Sequence, residues 1–563
     1  MSSDRTPLQQ NEEQDLVSSN YASDTYTQST NTNYGSIKAT KSRTSLASRQ
    51  YSDHEYDQDE ESRYHSDGYS ASIPYDDEDD EDHSINDSIL DEPQLTYAVE
   101  LFQILASSIP LSFTFFFEYL LAVNSLFLIG HLGSSELAAA SLAVMTFNIT
   151  GMAVFEGMAT CLDTFCSQAY GAGKYHKVGV YFQRCTFMIL AVSIPIMILW
   201  WFSKWFLKFI VPQEDLLELT QLYLRILCLG SPGLIAFETG KRFLQSQKIF
   251  HASTYVLFFC LPLNLILNYA FIQMWGYVGA PIAIVVTYWV MALLLLAYVK
   301  FVDGDKCWGG FSQRGLKHWD KLLKLALPGL IMIESEYLSF EILTVMASYF
   351  GTESLAAQSI ISNIGSLVYQ FPFAIASAIA TRVAIYVGSG SIRSSKMSVR
   401  LSMFVALFTG LLSAGFIYFG RRPLALLFTS DEEVLQLAIK SMPILAINQL
   451  LDAFNIISAA ILRSQGRQDV ASIFNVISYY VVALPLAYVL AFVYDFEISG
   501  LWLGLGAGIA CISAAEMVMV WQSKWKKIIR EAREREEEDL EYFIDDQSTI
   551  ASSAASSVID FQY

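Results

Sequence analysis

The chain has 563 residues, of which 53% are hydrophobic and only 16% are charged, whereas soluble globular proteins carry about 25% charged residues. Its net charge of −20 is confined to the two ends, because residues 1–95 contribute −16, residues 524–563 contribute −4 and the residues between them are neutral. Nucleic-acid binding requires a basic patch or stripe, and the sequence contains none, so this class of function is excluded.

In chain order, residues 1–95 come first. They are rich in Ser, Asp, Tyr and Gln with few apolar runs, which predicts a disordered acidic tail. Twelve apolar stretches follow, each near or above the roughly 20 residues that span a bilayer as a helix. Residues 524–563 are predicted to form a charged helix followed by a Ser/Ala-rich tail. The predicted spans are 100–130, 136–165, 177–203, 216–240, 250–273, 277–302, 320–349, 354–385, 397–420, 432–462, 470–493 and 498–523.

The orientation of these spans follows from the basic residues in the predicted loops. Lys and Arg are concentrated after the even-numbered helices, for example at Lys174, at Lys241-Arg242 and at Arg463. Cytoplasmic loops of membrane proteins carry an excess of these residues. Both termini are therefore predicted to be cytosolic in a multi-pass, all-α membrane protein.

The two halves of the apolar body repeat each other. At a shift of 218 residues, Glu118-Tyr119-Leu120 matches Glu336-Tyr337-Leu338, and at a shift of 217 Gly171-Ala172-Gly173 matches Gly388-Ser389-Gly390. Six helices in residues 96–305 and six in 306–523 predict two lobes related by a pseudo-two-fold axis along the membrane normal. Substrate sites of such proteins form between the repeats, so this organisation favours a transporter over an enzyme or a receptor.

Acidic residues inside the predicted spans are functional candidates, because a charge at the bilayer centre costs about 2.5–3.5 kcal/mol. Predicted helix 7 contains Glu334, Glu336 and Glu341, and predicted helix 10 contains Asp452. Acids on two helices of one half make a plausible proton site, and Glu118 holds the place of Glu336 in the first half. A structural hydrogen bond is the alternative for each, with most weight for Glu334 and Glu118. Several other charges in or near the spans are expected to form structural ion pairs: Glu156, Asp163, Arg184, Arg225 and Glu238.

Sequence features of other chemistries are missing from the apolar body. It contains no nucleophile–base pair, no metal-ligand spacing and no phosphate loop of the form G-x-x-x-x-G-K-[ST]. The seven cysteines are scattered without a C-x-x-C motif. We therefore expect a protein that is not an enzyme, needs no cofactor or metal, and draws its energy from an ion gradient.

Several motifs in the right order resemble the multidrug and toxic compound extrusion (MATE) antiporters, and among them the eukaryotic, fungal-like branch. The most specific stretch is 157–173, and the others are 130–143, 327–341, 355–390 and 462–485. The resemblance covers about residues 97–523. It implies export of organic, often cationic, compounds in exchange for protons or sodium.

The resemblance also implies site residues. It places essential acids at Glu336 and Glu341 in helix 7 and at Asp452 in helix 10. Ser125 stands where bacterial members typically carry an Asp, which favours a proton site in the second lobe. Aromatic side chains suit organic cations. The expected proton and substrate site comprises Glu336, Glu341, Asp452, Glu118, Tyr337, Asn148 and Tyr369.

The sequence therefore predicts a monomeric, proton-coupled antiporter in a vacuolar or plasma membrane, with small organic solutes or cations and membrane lipids as its partners. Sodium remains open as the coupling ion. One alternative is a lipid-linked saccharide flippase of a related fold, in which basic cavity residues would bind pyrophosphate. Another is a scaffold or sensor without transport activity, which would tolerate loss of the core carboxylates.

Overall fold

A computed structural model describes residues 96–130, 132–209 and 213–538, and all regular secondary structure within them is helical. The tails predicted at 1–95 and beyond residue 538 lie outside the described residues. The helices of the apolar body are α1 (Tyr97–Ile129), α2 (Ser134–Gly171), α3 (Tyr175–Trp201), α4 (Glu214–Leu227 and Ser231–Ser246), α5 (His251–Trp275), α6 (Gly279–Phe301), α7 (Trp319–Ser348), α8 (Thr352–Gly388), α9 (Ile392–Leu426), α10 (Glu432–Ser464), α11 (Gln468–Val493) and α12 (Glu497–Trp521).

These helices match the twelve predicted spans one for one. By length and apolarity, nine stretches of the described chain qualify as membrane spans, and the bent pair that forms α4 makes a tenth. The stretch His251–Phe301 is one of the nine although it contains both α5 and α6. Helix α7 is less apolar because it carries three glutamates. The predicted fold class, a polytopic bundle of twelve helices, is confirmed.

Three of the described helices depart from regular α geometry: α11, which has π-turns at Ile477–Ala483 and Val489–Val493, and α4 and α2. Helix α4 bends by 53° between its two segments, where the proline of the Ser231-Pro232 pair begins the second segment. Helix α2 widens into a π-turn at Asn148–Met152. A Cβ added at Gly151 in this turn would lie 2.4 Å from the Trp200 ring, so the glycine allows α3 to pack closely there.

The two lobes meet through a symmetric set of helix contacts. Helix α1 packs against α8, and its counterpart α7 packs against α2. The approach of α7 is close, since a Cβ added at Gly157 would lie 2.7 Å from the Leu330 Cα. Helices α2 and α8 meet each other at their C-terminal ends. The interface is therefore lined by the first two helices of each lobe, which are α1 and α2 in the N-lobe and α7 and α8 in the C-lobe.

The C-terminal ends of α2 and α8 make the tightest contact between the lobes. A Cβ added at Gly171 would lie 2.1 Å from the Ile385 carbonyl oxygen, and one added at Gly388 would lie 2.0 Å from the Gln168 carbonyl oxygen. Residues 168 and 385, like 171 and 388, are related by the 217-residue repeat. The same backbone contact therefore occurs twice about the pseudo-two-fold axis. We call the face of the bundle at which the C-terminal ends of α2 and α8 lie, at Gly171 and Gly388, the tail side.

Polar contacts reinforce the closure of the tail side. The Thr164 hydroxyl donates to the Arg463 carbonyl oxygen at 2.6 Å, and the Gln168 amide donates to the Ser464 carbonyl oxygen at 2.9 Å. Nearby, the Arg382 guanidinium of α8 pairs with the fully buried Glu100 carboxylate of α1. The described structure is thus one in which the lobes are joined on the tail side.

Residues 525–538 form a further helix that lies across the tail side and contacts both lobes. Its apolar face, which includes Ile528 and Ile529, packs with C-lobe residues. Polar contacts of this helix also reach the N-lobe, since Lys174 pairs with Glu536 at 2.8 Å and Arg535 donates to the Gln168 side-chain oxygen at 3.4 Å. Burial in this position lowers the pKa of the Arg535 guanidinium.

Candidate functional site

The N-lobe acids are held in a network of ion pairs. Lys241 of α4 is 3% exposed and donates to Glu118 of α1 at 2.7 Å and to Glu238 at 2.9 Å. Its ammonium also lies 5.0 Å from the centre of the Phe115 ring. A buried lysine between two carboxylates is neutralised by its partners, so Glu118 is part of a paired cluster.

A second buried pair lies beside the first. The Arg242 Nη1 atom donates to both carboxylate oxygens of Asp163, at 2.9 and 2.7 Å, and the Arg242 Nη2 atom lies 3.8 Å from Glu156. The prediction of structural ion pairs is confirmed for Glu156, Asp163 and Glu238. Arg184 and Arg225 also make structural contacts, in which each Nε atom donates to a backbone carbonyl oxygen.

The predicted location of the basic partners in these pairs was wrong. Lys241 and Arg242 were predicted to lie in a loop, but both lie inside α4, which continues to Ser246. Arg463 was likewise placed in a loop, and it lies in the last turn of α10 with only 9% of its surface exposed. These residues therefore carry no information about orientation.

The C-lobe acids are arranged differently. Asp452 of α10 is 6% exposed, and its contact with a neighbouring side chain is a hydrogen bond from the Asn455 amide at 3.3 Å. Glu336 of α7 lies in electrostatic range of Asp452 and of Tyr369. Three of the predicted site residues, which come from α7, α8 and α10, are therefore brought together.

The repeat explains why the lobes differ. Glu118 and Glu336 are equivalent positions at the 218-residue shift, and the residues equivalent to Lys241 and Arg242 are Ala459 and Ala460. Both lobes thus have a carboxylate in their first helix, Glu118 in α1 and Glu336 in α7, but the C-lobe has an alanine where the N-lobe has Lys241. Glu336 is half-buried and Asp452 is buried, and no ion pair of either carboxylate is recorded among the described residues. The basic side chain in electrostatic range of Glu336 is Arg463, and the place of Lys241 is taken by Ala459.

The remaining predicted residues of the C-lobe acid site lie on α7 and α2. Tyr337 is 37% exposed and lies in electrostatic range of Glu156 in the N-lobe as well as of Glu336. Asn148 is half-buried in the π-turn of α2, which contacts α7. Glu341 is also half-buried, and no hydrogen bond or ion pair of its side chain is recorded among the described residues.

One buried acid of the C-lobe was not predicted from the sequence. Glu516 lies in α12 and is fully buried, in electrostatic range of Arg463 and Glu336. The signal that could have revealed it is a lone acid inside the apolar stretch 498–523.

Two lobes of six helices, joined by repeated contacts and enclosing buried acids near their interface, define a membrane transporter built from a parallel repeat. Comparison with known proteins agrees. The MatE family model matches residues 110–270 in the N-lobe and 328–489 in the C-lobe. The chain belongs to this family, as the sequence motifs predicted.

Individual relatives support the assignment. An uncharacterised transporter of Saccharomyces cerevisiae, YDR338C, is 41% identical over 456 residues, an alignment that covers 79% of this chain and 65% of the yeast protein. The human Multidrug and toxin extrusion protein 1 is 28% identical over 421 residues, which is 74% of this chain and 73% of the human protein. The crystal structure of the eukaryotic MATE transporter AtDTX14 is 26% identical, with a TM-score of 0.74 over 78% of this chain and 99% of that one.

Proposed function

We propose that the protein is a proton-coupled antiporter that exports organic cations, and that Glu336 and Asp452 bind the coupling protons. The observation that carries this proposal is the absence of a lysine at Ala459, the position where Lys241 neutralises the N-lobe counterpart of Glu336. A carboxylate in the membrane interior that has no ion pair is costly. Binding of either a proton or a cationic substrate removes that cost, and this competition couples the two fluxes.

Alternating access supplies the transport cycle. While the lobes are joined on the tail side, the carboxyl pair communicates with the opposite side, where protons bind and the organic cation is released. When the tail-side contacts separate, the protons leave and a new cation takes their place. Tyr337 and Tyr369 present aromatic faces that suit an organic cation. The tail side faces the cytosol in this proposal, and the membrane is vacuolar or plasma.

The experiment that tests the proposal restores the missing lysine. In Ala459→Lys, the ammonium should pair with Glu336 as Lys241 pairs with Glu118. Ala459→Met is the matched control, because it adds a side chain of similar length without charge. Purified proteins are reconstituted into liposomes, and uptake of radiolabelled tetraethylammonium is measured under an imposed pH gradient or, separately, under a sodium gradient.

We expect pH-driven uptake in the wild type and in Ala459→Met, and its loss in Ala459→Lys. Asp452→Asn and Glu336→Gln should abolish it as well, because these side chains keep their shape but cannot exchange a proton. Full pH-driven uptake in Ala459→Lys would contradict the proposed site. Uptake in the wild type that responds to sodium but not to pH would contradict proton coupling.

A further inference from the structure

Glu516 is the most deeply buried acid of the C-lobe. Its relative exposure is 0%, and neither carboxylate oxygen has a hydrogen-bond partner among the described residues. Helix α12, which carries it, packs against α10 and α11. The side chain therefore lies inside the lobe and not at its lipid-facing surface.

The register of α12 on α10 places Glu516 on the tail side of Asp452. The two helices run in the same direction, since Ser441 contacts Ser499 at 3.0 Å and Gln465 contacts Ser523 at 3.2 Å. These contacts are both 58 residues apart, so Glu516 lies level with Ser458. Asp452 is six residues earlier on α10, which corresponds to about 9 Å along a helix axis.

Other polar groups line the same route. The Ser458 hydroxyl and the Asn455 side-chain oxygen are buried without a hydrogen-bond partner among the described residues, as is the Arg463 Nε atom nearer the tail side. The charged and titratable groups that face Glu516 come from three helices: Arg463 of α10, Glu336 of α7 and Tyr479 of α11. No other described side chain is recorded in electrostatic contact with it.

A purely structural role explains this arrangement poorly. A buried polar group contributes to stability only when it is hydrogen-bonded, and an apolar residue of similar volume would pack in this position without that cost. Acids inside membrane spans mark ion and proton paths as a rule. Glu516 also has no equivalent in the N-lobe, where the 218-residue shift gives Tyr298.

We propose that Glu516 is a second proton carrier, which receives the proton from the Glu336–Asp452 pair and passes it to the tail side. In the transfer, the O–H bond of the donor carboxylic acid breaks, an O–H bond forms on Glu516, and the negative charge moves to the donor. When Glu516 in turn loses the proton to the tail-side solution, Arg463 stabilises the carboxylate. This proposal rests on the proposed antiport function.

The first test uses the wild-type protein. Dicyclohexylcarbodiimide reacts with protonated carboxyl groups in apolar surroundings, and mass spectrometry locates the modified residue. We expect modification of Glu516 in purified protein and its progressive loss as the pH is raised. If Glu516 is modified equally at every pH, its proton is permanently bound. If Glu336 or Asp452 is modified and Glu516 is not, Glu516 binds no proton. Either result would overturn the proposal.

The second test measures the coupling of tetraethylammonium transport to proton transport. In Glu516→Gln, pH-driven uptake of tetraethylammonium should be lost, whereas exchange of labelled for unlabelled tetraethylammonium, which moves no net proton, should stay near the wild-type rate. Glu516→Asp should restore part of the pH-driven uptake. Glu497→Gln, the same change at an exposed acid of the same helix, should leave both rates unchanged and serves as the control.

The outcomes separate this proposal from the antiport function itself. If Glu516→Gln keeps wild-type uptake under the pH gradient, the role of Glu516 is wrong and the Glu336–Asp452 site stands. If Glu516→Gln loses uptake and exchange together and Glu516→Asp restores neither, the role is structural and the proposal is overturned. If the wild type shows no pH-driven uptake, the antiport function and the proton relay both fail.

Discussion

The paired glycines at the tail side allow a direct test of how the lobes close. Gly171→Ala places a Cβ 2.1 Å from the Ile385 carbonyl oxygen, and Gly388→Ala places one 2.0 Å from the Gln168 carbonyl oxygen. Both obstructing atoms belong to the backbone, so no side-chain rotation can relieve the overlap. The ends of α2 and α8 must move apart by more than about 1 Å to restore ordinary van der Waals contact.

The expected magnitude follows from the cost of overpacking. Inserting a methyl group into a well-packed region costs about 1–3 kcal/mol. Because this cost applies only while the tail side is closed, it shifts the equilibrium toward the tail-side-open state by about 5- to 150-fold. One separation of the two helix ends relieves both overlaps, so the double variant should shift little further than either single variant.

The assay is a distance measurement between the lobes. Spin labels are placed at two exposed residues on the tail side: Lys306, in the segment after α6 that packs against α3 of the N-lobe, and Arg393, in α9 of the C-lobe. After replacement of the exposed Cys511, the labels report the separation of the lobes by pulsed electron paramagnetic resonance. The variants should show a population at longer distance. Gly415→Ala is the control, because its added Cβ meets no atom within 4 Å. Distance distributions of Gly171→Ala and Gly388→Ala that match the wild type would refute the reasoning.

Three further predictions use other features of the molecule. Asp163→Asn should lower the stability measured by thermal unfolding in detergent by about 3–5 kcal/mol, because it leaves the buried Arg242 without its bidentate carboxylate. Glu218→Gln, which removes an exposed pair with Lys204, should change the stability little, and equal losses in the two variants would contradict the assignment. Removal of residues 524–563 should increase the long-distance population in the same resonance measurement, and an unchanged population would show that this helix does not hold the lobes together. Deletion of residues 1–90 should leave the transport rate of purified protein unchanged, and a loss of intrinsic turnover would contradict the interpretation of this segment as an independent tail.

The fold could be predicted from the sequence because the internal repeat and the apolar stretches each extend over many residues. A constant shift of 217 to 218 residues fixes the relation of the lobes, and each span satisfies its own backbone as a helix. Helix ends were harder to predict where charges are buried. Hydropathy ends the fourth span before Lys241, but the helix continues to Ser246 because Glu118, Glu238 and Asp163 compensate the two basic residues.

The candidate site could be predicted in part, because charged residues are rare inside membrane spans. An acid in the middle of a predicted span is conspicuous, which is how Glu336 and Asp452 were found. Glu516 lies near the end of its predicted span, where a charged side chain can reach the membrane surface. Only the packing of α12 against α10 and α11 shows that this carboxylate stays inside the lobe.

Comparison of the lobes connects the fold to the proposed mechanism. Where the repeat keeps the same residues, as at Gly171 and Gly388, the result is a symmetric contact between the lobes. Where the repeat diverges, as at Lys241 and Ala459, the N-lobe has fixed ion pairs, and no ion pair is recorded for Glu336 or Asp452 among the described residues. In the proposed mechanism the fixed pairs keep the charge of the N-lobe constant, whereas the C-lobe changes its charge by binding a proton or a cation. A transporter needs both properties, since a symmetric interface gives two alternating states and only an asymmetric charge site lets an ion gradient choose between them.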